Sequence, residues 1–429
     1  MNNGVRLDYR KTFVLGLGFF GITLSWSVYN SYVPIFLAEL LKDTAYRTTL
    51  VGFIMTLDNI AAITLQPYFG AKSDTTWTRL GRRMPYLLVG VPVAAIAFAL
   101  IPYARFSLVS IVITVGIMNL AMTVFKAPTV ALMPDITPSS MRSKANGIIN
   151  FMGGLGALLA FFVFSSLYRI DPAYPFLVTA ALMALIVAAL FLTIRESQAI
   201  ESGQVESAGI DQAMIMESSR DESVGIVQAM IEVWTDADKS ARNMLLAIFF
   251  WFVGWTGIEA LFTLYGVEVW GMTPDQAAFS LGFFSLSFLV FAIPSGFLAT
   301  AIGRKKTILV GVSGISLVII ALRFANPGIT LQALLLIGGL FWALVNINSY
   351  PMVVDMTSSA QTGAYTGIYY FSSSLAAIVA PPLFGRFMDV LGNQALFPCA
   401  FASLVVAFVF MMNVDRGEVQ ARSPGTHAA

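Results

Sequence analysis

Cysteine and histidine occur once each, as Cys399 and His427, in a chain of 429 residues. A lone cysteine has no partner for a disulfide within the chain. A lone histidine in a polar tail leaves no Cys/His metal cluster, no Ser-His-Asp triad and no Cys-His dyad. Charge is scarce as well: Asp, Glu, Lys and Arg make up 11% of the residues, where a soluble domain carries roughly a quarter. The net charge of +1 says nothing of partners. The basic residues sit in short loops between apolar runs and form no clustered face, which argues against nucleic acid. No Walker A pattern occurs, so nothing supports nucleotide-driven pumping. Without a nucleophile–base or metal constellation, neither an enzyme nor a bound cofactor or metal is expected. A short polar start runs into an apolar stretch of spanning length with no small-residue cleavage site, so no cleaved signal peptide is expected.

What the chain has is apolar length. Hydrophobic residues make up 57% of it, and the mean hydropathy is +0.77. Runs of about twenty residues with few or no charges are long enough to cross ~30 Å of hydrocarbon. They predict spans near 12–36, 50–70, 85–104, 107–134, 145–167, 174–194, 244–266, 277–300, 306–324, 330–353, 364–385 and 396–414. The fold class expected is therefore all-α integral membrane, with about 12 transmembrane helices. The organisation expected is a six-helix bundle over 1–195, a linker over 196–243, a second six-helix bundle over 244–415 and a tail over 416–429. Lys and Arg concentrate in the segments that share a side with both termini, which predicts cytoplasmic termini in a plasma or inner membrane.

The two halves repeat one another. Asp135, Thr137, Gly147 and Phe151 recur in order as Asp355, Thr357, Gly367 and Phe371. Gly81, Arg82 and Arg83 after the second span are echoed by Gly303, Arg304 and Lys305 after the eighth, and Phe19–Phe20 through Trp26 by Ile248–Phe249 through Trp255. The competing explanation is chance similarity between apolar segments. Parallel halves related by an axis along the membrane normal form the major facilitator architecture. The linker has a duplication of its own, beginning at Gly209 and Gly225. Val224, Val227, Ile231 and Trp234 have helical spacing, which suits either a tether or a helix lying on the membrane surface.

Residues 64–90 read TLQPYFGAKSDTTWTRLGRRMPYLLVG. This segment resembles the loop after the second span in sucrose-transporter-like proteins of the glycoside–pentoside–hexuronide symporter group. The matching positions are Gln66, Pro67, Gly70, Ser73, Asp74, Gly81, Arg82, Arg83 and Pro85. The first span (SWSVYNSYVPIFL) and the fourth (FKAPTVALMPDI) are similar to that family too. The resemblance implies transport of sugars with protons or sodium. It implies no coupling site at the family's usual positions. The expected fourth-span aspartate is Asn119, which cannot titrate, the arginine further along is Val130, and the sodium-site aspartates match Ala62 and Gln66. Physically, Asp74 at one helix end and Arg82 or Arg83 at the next helix start can pair at the cytoplasmic face. Arg304 is their counterpart in the second half. Such pairs form a cytoplasmic gate if they tighten in one state and loosen in the other. A purely topogenic basic loop is the alternative.

Three charges fall well inside spans: Asp58, Lys126 and Glu259. A charge at the bilayer centre costs at least ~2.5–3.5 kcal/mol, so each is a functional candidate in need of a partner. Helical rise puts Asp58 ~18 Å, Asn119 and Glu259 ~22 Å and Lys126 ~12 Å from the cytoplasmic ends of their spans. One reading makes Asp58, Glu259 or both the coupling-proton sites, with Lys126 as an alternating counter-ion. The other is a permanent Asp58–Lys126 bridge that only fixes helix packing.

Candidate substrate-binding residues are Trp26, Tyr29, Asn30, Asn119, Asn150, Trp255, Asn346, Asn348, Tyr350, Tyr369 and Tyr370, with Glu259 beside them. Asn346, Asn348 and Tyr350 form the densest cluster. Amides within a span need hydrogen-bond partners, whereas each aromatic alone is equally explained by packing or interface anchoring. Together these features predict a secondary active transporter working by alternating access, as a monomer in the lipid bilayer. Its expected cargo is a small molecule, a di- or oligosaccharide, and its expected coupling cation is H+ ahead of Na+. A uniporter or exporter of another small organic solute, and a non-transporting membrane receptor or scaffold, are the alternatives.

Overall fold

A computed structural model describes residues 7–76, 78–137, 141–194, 230–236, 238–357 and 362–417. Most of the expected linker, including its duplication and Val224 and Val227, lies outside the described residues, as does nearly all of the tail. Twelve helices among the described residues are long and apolar enough to cross a membrane. They are Tyr9–Leu40, Arg47–Thr75, Met84–Ala104, Leu108–Ile136, Lys144–Ile170, Tyr174–Thr193, Ser240–Glu268, Pro274–Ile302, Arg304–Leu322, Ile329–Val354, Gly363–Leu391 and Asn393–Met412, called here the first to the twelfth span. Each coincides with an expected apolar run. Several run longer than the run itself, because polar residues at the interface can be helical where their side chains reach water. The first span begins at an Asp8 cap whose carboxylate accepts from the Lys11 N–H at 3.1 Å. The eighth begins with a Thr273/Gln276 capping box and Pro274 in its first turn, which together satisfy orphan amide groups.

Two spans depart from a plain α-helix in ways that matter below. The second is two helices, Arg47–Met55 and Leu57–Thr75, joined at Thr56, whose hydroxyl donates to the Phe53 carbonyl at 2.8 Å. The fifth contains a π-helical turn over Leu159–Val163. Such turns are rare and concentrate at functional positions.

Spans one to six and seven to twelve form two helical groups. Within the first, Tyr32, Phe36, Phe98 and Phe176 make an aromatic core, with Tyr32 stacked on Tyr168 at 4.1 Å. Within the second, Tyr265, Trp270 and Phe397 pack edge to face. Between the groups the first span packs on the seventh, the second on the eleventh, and the fifth on the eighth.

The repeated motifs turn out to be one device used twice. Gly81 and Gly303 both hold positive φ, at 102° and 95°, a conformation that carries little penalty only for glycine. Each turns the chain sharply so that the next residues enter the third or ninth span with their guanidinium groups aimed sideways. There they meet the aspartate of the other repeated motif: Arg82 and Arg83 pair with Asp135, and Arg304 pairs with Asp355.

Candidate functional site: a polar cleft between two helical halves

Four of the predicted polar residues share one level. By helical rise, Asn30, Asp58, Asn119 and Glu259 lie about 13–17 Å from the ends of their spans on the face opposite the termini. Lys126 starts about 10 Å further toward the termini face. All three charged side chains are half-buried, as expected of groups lining a cleft.

The break in the second span decides the setting of Asp58. It lies in the first turn of Leu57–Thr75, where free N–H groups and the positive end of the helix dipole favour a carboxylate. Its Oδ1 also accepts from Asn59 Nδ2 at 2.8 Å. Lys126 and Glu259 are both within electrostatic reach of Asp58. Among the described residues, however, no ion pair joins Lys126 to a carboxylate. Its ammonium sits over the Trp26 ring, 5.8 Å from the centroid, a cation–π contact. This arrangement does not contain the permanent Asp58–Lys126 bridge, and it leaves the cation free to choose a carboxylate.

Glu259 is the link between the halves. Its Oε1 accepts from Asn30 Nδ2 at 3.5 Å, across from the seventh span to the first, and it also faces the Trp255 indole. Trp255 is the middle of an aromatic slab, stacked on Phe284 at 4.6 Å and on Trp342 at 4.9 Å. Glu259, Trp255, Phe284 and Trp342, with Thr23 and Ser27 from the first half, line a cavity of about 200 Å³. On the first-half side, Trp26 and Tyr29 meet edge to face at 5.5 Å. Among the described residues the Trp26 indole nitrogen is buried without a hydrogen-bond partner, and the buried Tyr29 hydroxyl and Asn119 amide have at most each other within reach. Unsatisfied buried groups of this kind are costly and rare unless a water or ligand completes them.

Other candidates fall elsewhere. Asn348 is buried and donates to its own helix at Leu344. Asn346 offers its backbone carbonyl to the Ser349 hydroxyl. Asn150 is exposed and bonds back to Asn146. Tyr350, Tyr369 and Tyr370 pack together with centroids 5.3–6.2 Å apart, nearer the termini face than the Glu259 level. Among the described residues the tenth-span cluster bonds within its own helix and to the eleventh span, and no hydrogen bond joins it to Glu259.

The ion pairs sort by face. On the termini face the described pairs within the spans join groups of one half. Arg83, 4% exposed, is held by Asp74 and Asp135, with Arg82 on Asp135 as well. Burial works against the Arg83 charge, but the two carboxylates outweigh it and raise its pKa above the ordinary value. On the opposite face the contacts cross between halves. Arg47 pairs with Glu268. The Asp389 carboxylate accepts from the Thr48 and Thr49 N–H groups at 2.9 and 2.8 Å and from the Thr49 hydroxyl at 2.6 Å. It caps the start of the second span from the end of the eleventh. Backbones touch there: a Cβ on Gly52 would lie 2.3 Å from the Pro381 carbonyl oxygen, and one on Gly385 2.3 Å from that of Thr48. The molecule is therefore sealed on the face opposite the termini. Asp135, Asp355, Asp389, Glu268 and Trp342 were not among the predicted site residues. The repeat of Asp135 at Asp355 was the available signal for the first two; a bond between the second and eleventh spans leaves no local sequence mark.

The sequence profile of the Major Facilitator Superfamily matches this chain over residues 15–282 and 244–427. The chain belongs to the Major Facilitator Superfamily. Within curated proteins, this superfamily member is similar to the general alpha-glucoside permease of Schizosaccharomyces pombe, at 26% identity over 36% of this chain and 30% of the permease. It is also similar to the sucrose transport protein SUC3 of Arabidopsis thaliana (24%, covering 41% and 33%) and to the human proton-associated sugar transporter A (29%, covering 35% and 21%). The matched segments span a third or less of those relatives. Among solved structures, the nucleoside transporter NupG superposes with a TM-score of 0.71 at 15% identity, over 94% of this chain and 99% of that one. A D-xylose-proton symporter does so with a TM-score of 0.72 at 16% identity, over 94% and 97%. At these identities the likeness establishes the fold. The family and the named relatives are transporters.

Proposed function

We propose that this superfamily member is a proton-coupled symporter of a di- or oligosaccharide, working by alternating access as a monomer, with its termini in the cytoplasm. The observation that carries the reading is the Asn30–Glu259 contact between the halves, beside the Trp255 slab and within reach of Asp58 and Lys126. Aromatic faces suit the C–H surfaces of a sugar, and carboxylates and amides suit its hydroxyls. A solute that binds Glu259 replaces Asn30 as its partner, so solute binding and the contact between halves compete for the same group. A proton on Glu259 or Asp58 removes a charge from the cleft and weakens its pull on Lys126, which ties protonation to which state is favoured. Asp74, Arg82, Arg83 and Arg304 then serve as termini-side struts that move with their own halves. The sugar-transporting relatives support the substrate class.

The test is uptake of a labelled disaccharide panel into proteoliposomes with and without an inward proton gradient. Gradient-stimulated accumulation of one sugar is expected. Flux that ignores the gradient makes the protein a uniporter; no flux for any sugar removes the substrate class.

A further inference from the structure

On the sealed face, directly beyond the central cavity, lies a second pocket of about 470 Å³ at the seam between the fifth and eighth spans. Its character is the reverse of the central one. Ser166 and Arg169 come from the first half, and Asp275, Gln276 and Gln332 from the second, with the Phe279 ring along one wall. Among the described residues the side chains of Ser166, Arg169, Asp275 and Gln332 make no hydrogen bond or ion pair with one another or with other groups, so their donors and acceptors are open to the pocket. A donor-and-acceptor ring flanked by one aromatic face, with little net charge, matches a neutral solute rich in hydroxyls. It does not match an anion, which would meet Asp275, or a cation, which would meet Arg169.

The two pockets share a seam and are separated by one aromatic knot. Ala157, Phe161, Leu281 and Ser285 belong to the central cavity, and Ser165, Ser166, Phe279 and Ser280 to the outer pocket. Between them stands Phe162 of the fifth span, edge to face with Phe279 at 5.2 Å and with Phe283 at 5.3 Å, both of the eighth. Phe162 lies in the π-helical turn Leu159–Val163, where the extra residue per turn re-aims side chains and weakens the helical ladder. Its ring occupies the space left by Gly282: a Cβ there would lie 2.6 Å from Phe162 Cε1. The ring thus rests in a slot shaped for it, on a turn that departs from regular α-helical winding.

We propose that the outer pocket is a second solute site, where a hydroxyl-rich solute docks on the face opposite the termini, and that the Phe162 ring is the door between it and the central cavity. The docking half rests on the sugar-transport reading above; the door half concerns the path whatever the solute. Opening needs only the ring to leave the Gly282 slot, by a local change in the winding of the turn. Release of the Asp389 and Arg47 contacts separates the halves on that face at the second and eleventh spans.

The single cysteine makes the test direct. In a Cys399→Ser background, Ser166→Cys reports the outer pocket and Ser285→Cys the central cavity. A membrane-impermeant maleimide is applied from the opposite face to proteoliposomes sorted by orientation. Ser166→Cys is expected to label quickly and Ser285→Cys slowly. Adding Phe162→Ala is expected to speed labelling of Ser285→Cys by roughly tenfold, the effect of a modest shift in a closed-to-open equilibrium. Gly282→Ala, which keeps the ring but fills its slot, is expected to act in the same direction, and it covers the case in which Phe162→Ala fails to fold. Ser285→Cys labelling unchanged by both variants overturns the door, and an unreactive Ser166→Cys overturns the pocket as an entrance. For docking, saturating sucrose or maltose is expected to slow labelling of Ser166→Cys, and to do so still when Trp255→Ala has removed the central slab. Slowing that vanishes with Trp255→Ala, or no slowing by a sugar that the protein does transport, overturns the second site. Failure of every sugar in the uptake test removes the substrate class and with it the docking half, and leaves the door to stand or fall on Ser285→Cys.

Discussion

Glu259 and Asp58 occupy the same level of the cleft but different settings, so their variants separate by readout. Glu259 touches Asn30 and the Trp255 slab, the point at which solute and proton meet in the proposed cycle. Glu259→Gln keeps the hydrogen bonding and removes the titration. We expect it to abolish accumulation driven by a gradient while solute counterflow without a gradient persists, and to erase the pH dependence of solute affinity. Couplings of this kind are typically about 5–150-fold. Asp58 lies within the broken second span, in the first turn of Leu57–Thr75. Asp58→Asn is expected to flatten the pH profile of initial uptake with little change in solute affinity at the pH optimum. A pH profile that matches the parent would take Asp58 out of the coupling role and leave it a helix cap. Chemistry in the sequence marked these two residues, because carboxylates in apolar runs stand out. The Tyr350 region carries as many polar residues, but the structure sets it apart from Glu259: Asn348 bonds to its own helix at Leu344, and Tyr350 and Ser349 bond to Thr366 and Tyr369 of the eleventh span.

At the scale of elements, the second and eleventh spans form the seal. Asp389 serves as the cap of a helix it does not belong to, and a cap is typically worth ~0.5–2 kcal/mol. Asp389→Ala, which removes the cap, should therefore shift the closed-to-open balance on that face by roughly two- to thirty-fold toward open. The measurement is the labelling rate of a cleft cysteine from the opposite side, with Thr49→Ala giving a smaller shift in the same direction. An unchanged rate would mean that the Gly52 and Gly385 backbone contacts hold the seal alone. The spans themselves were legible from hydropathy, since about twenty apolar residues have few other uses. Their irregularities were not. Thr56 breaks the second span with no proline or glycine at the break, and the π-helical turn lies in the ordinary apolar run Leu159–Val163. Both are set by what packs against them.

For the whole molecule, the proposed cycle has the termini-side struts hold each half together while the seam between halves changes. Arg83 is the tightest of them, buried and shared between two carboxylates. Arg83→Ala strands Asp74 and leaves Asp135 to Arg82. The cost expected is about 3 kcal/mol, in the range for breaking a buried pair, seen as a drop of several degrees in the unfolding midpoint in detergent. Arg83→Lys should recover only part of it, because a lysine cannot bridge both carboxylates with a fork of donors. Full recovery by lysine would make the position a topogenic charge only.

The sequence by itself determined the class of molecule, the number of crossings and the twofold repetition. It also determined the residue types that stand out in the cleft. Each of these follows from local properties: apolar length, the conformational freedom of Gly81 and Gly303, and the expense of charge away from water. Tertiary structure decided how these parts meet. It paired the two repeated motifs with each other, set Lys126 over Trp26, brought Glu259 to Asn30, built a slab from Trp255, Phe284 and Trp342, and placed Asp389 on the second span. The reason is that spans far apart in the chain have no local preference for one neighbour. Close packing chooses among them through shape, at positions such as Gly52 and Gly282 where only a hydrogen side chain admits the partner.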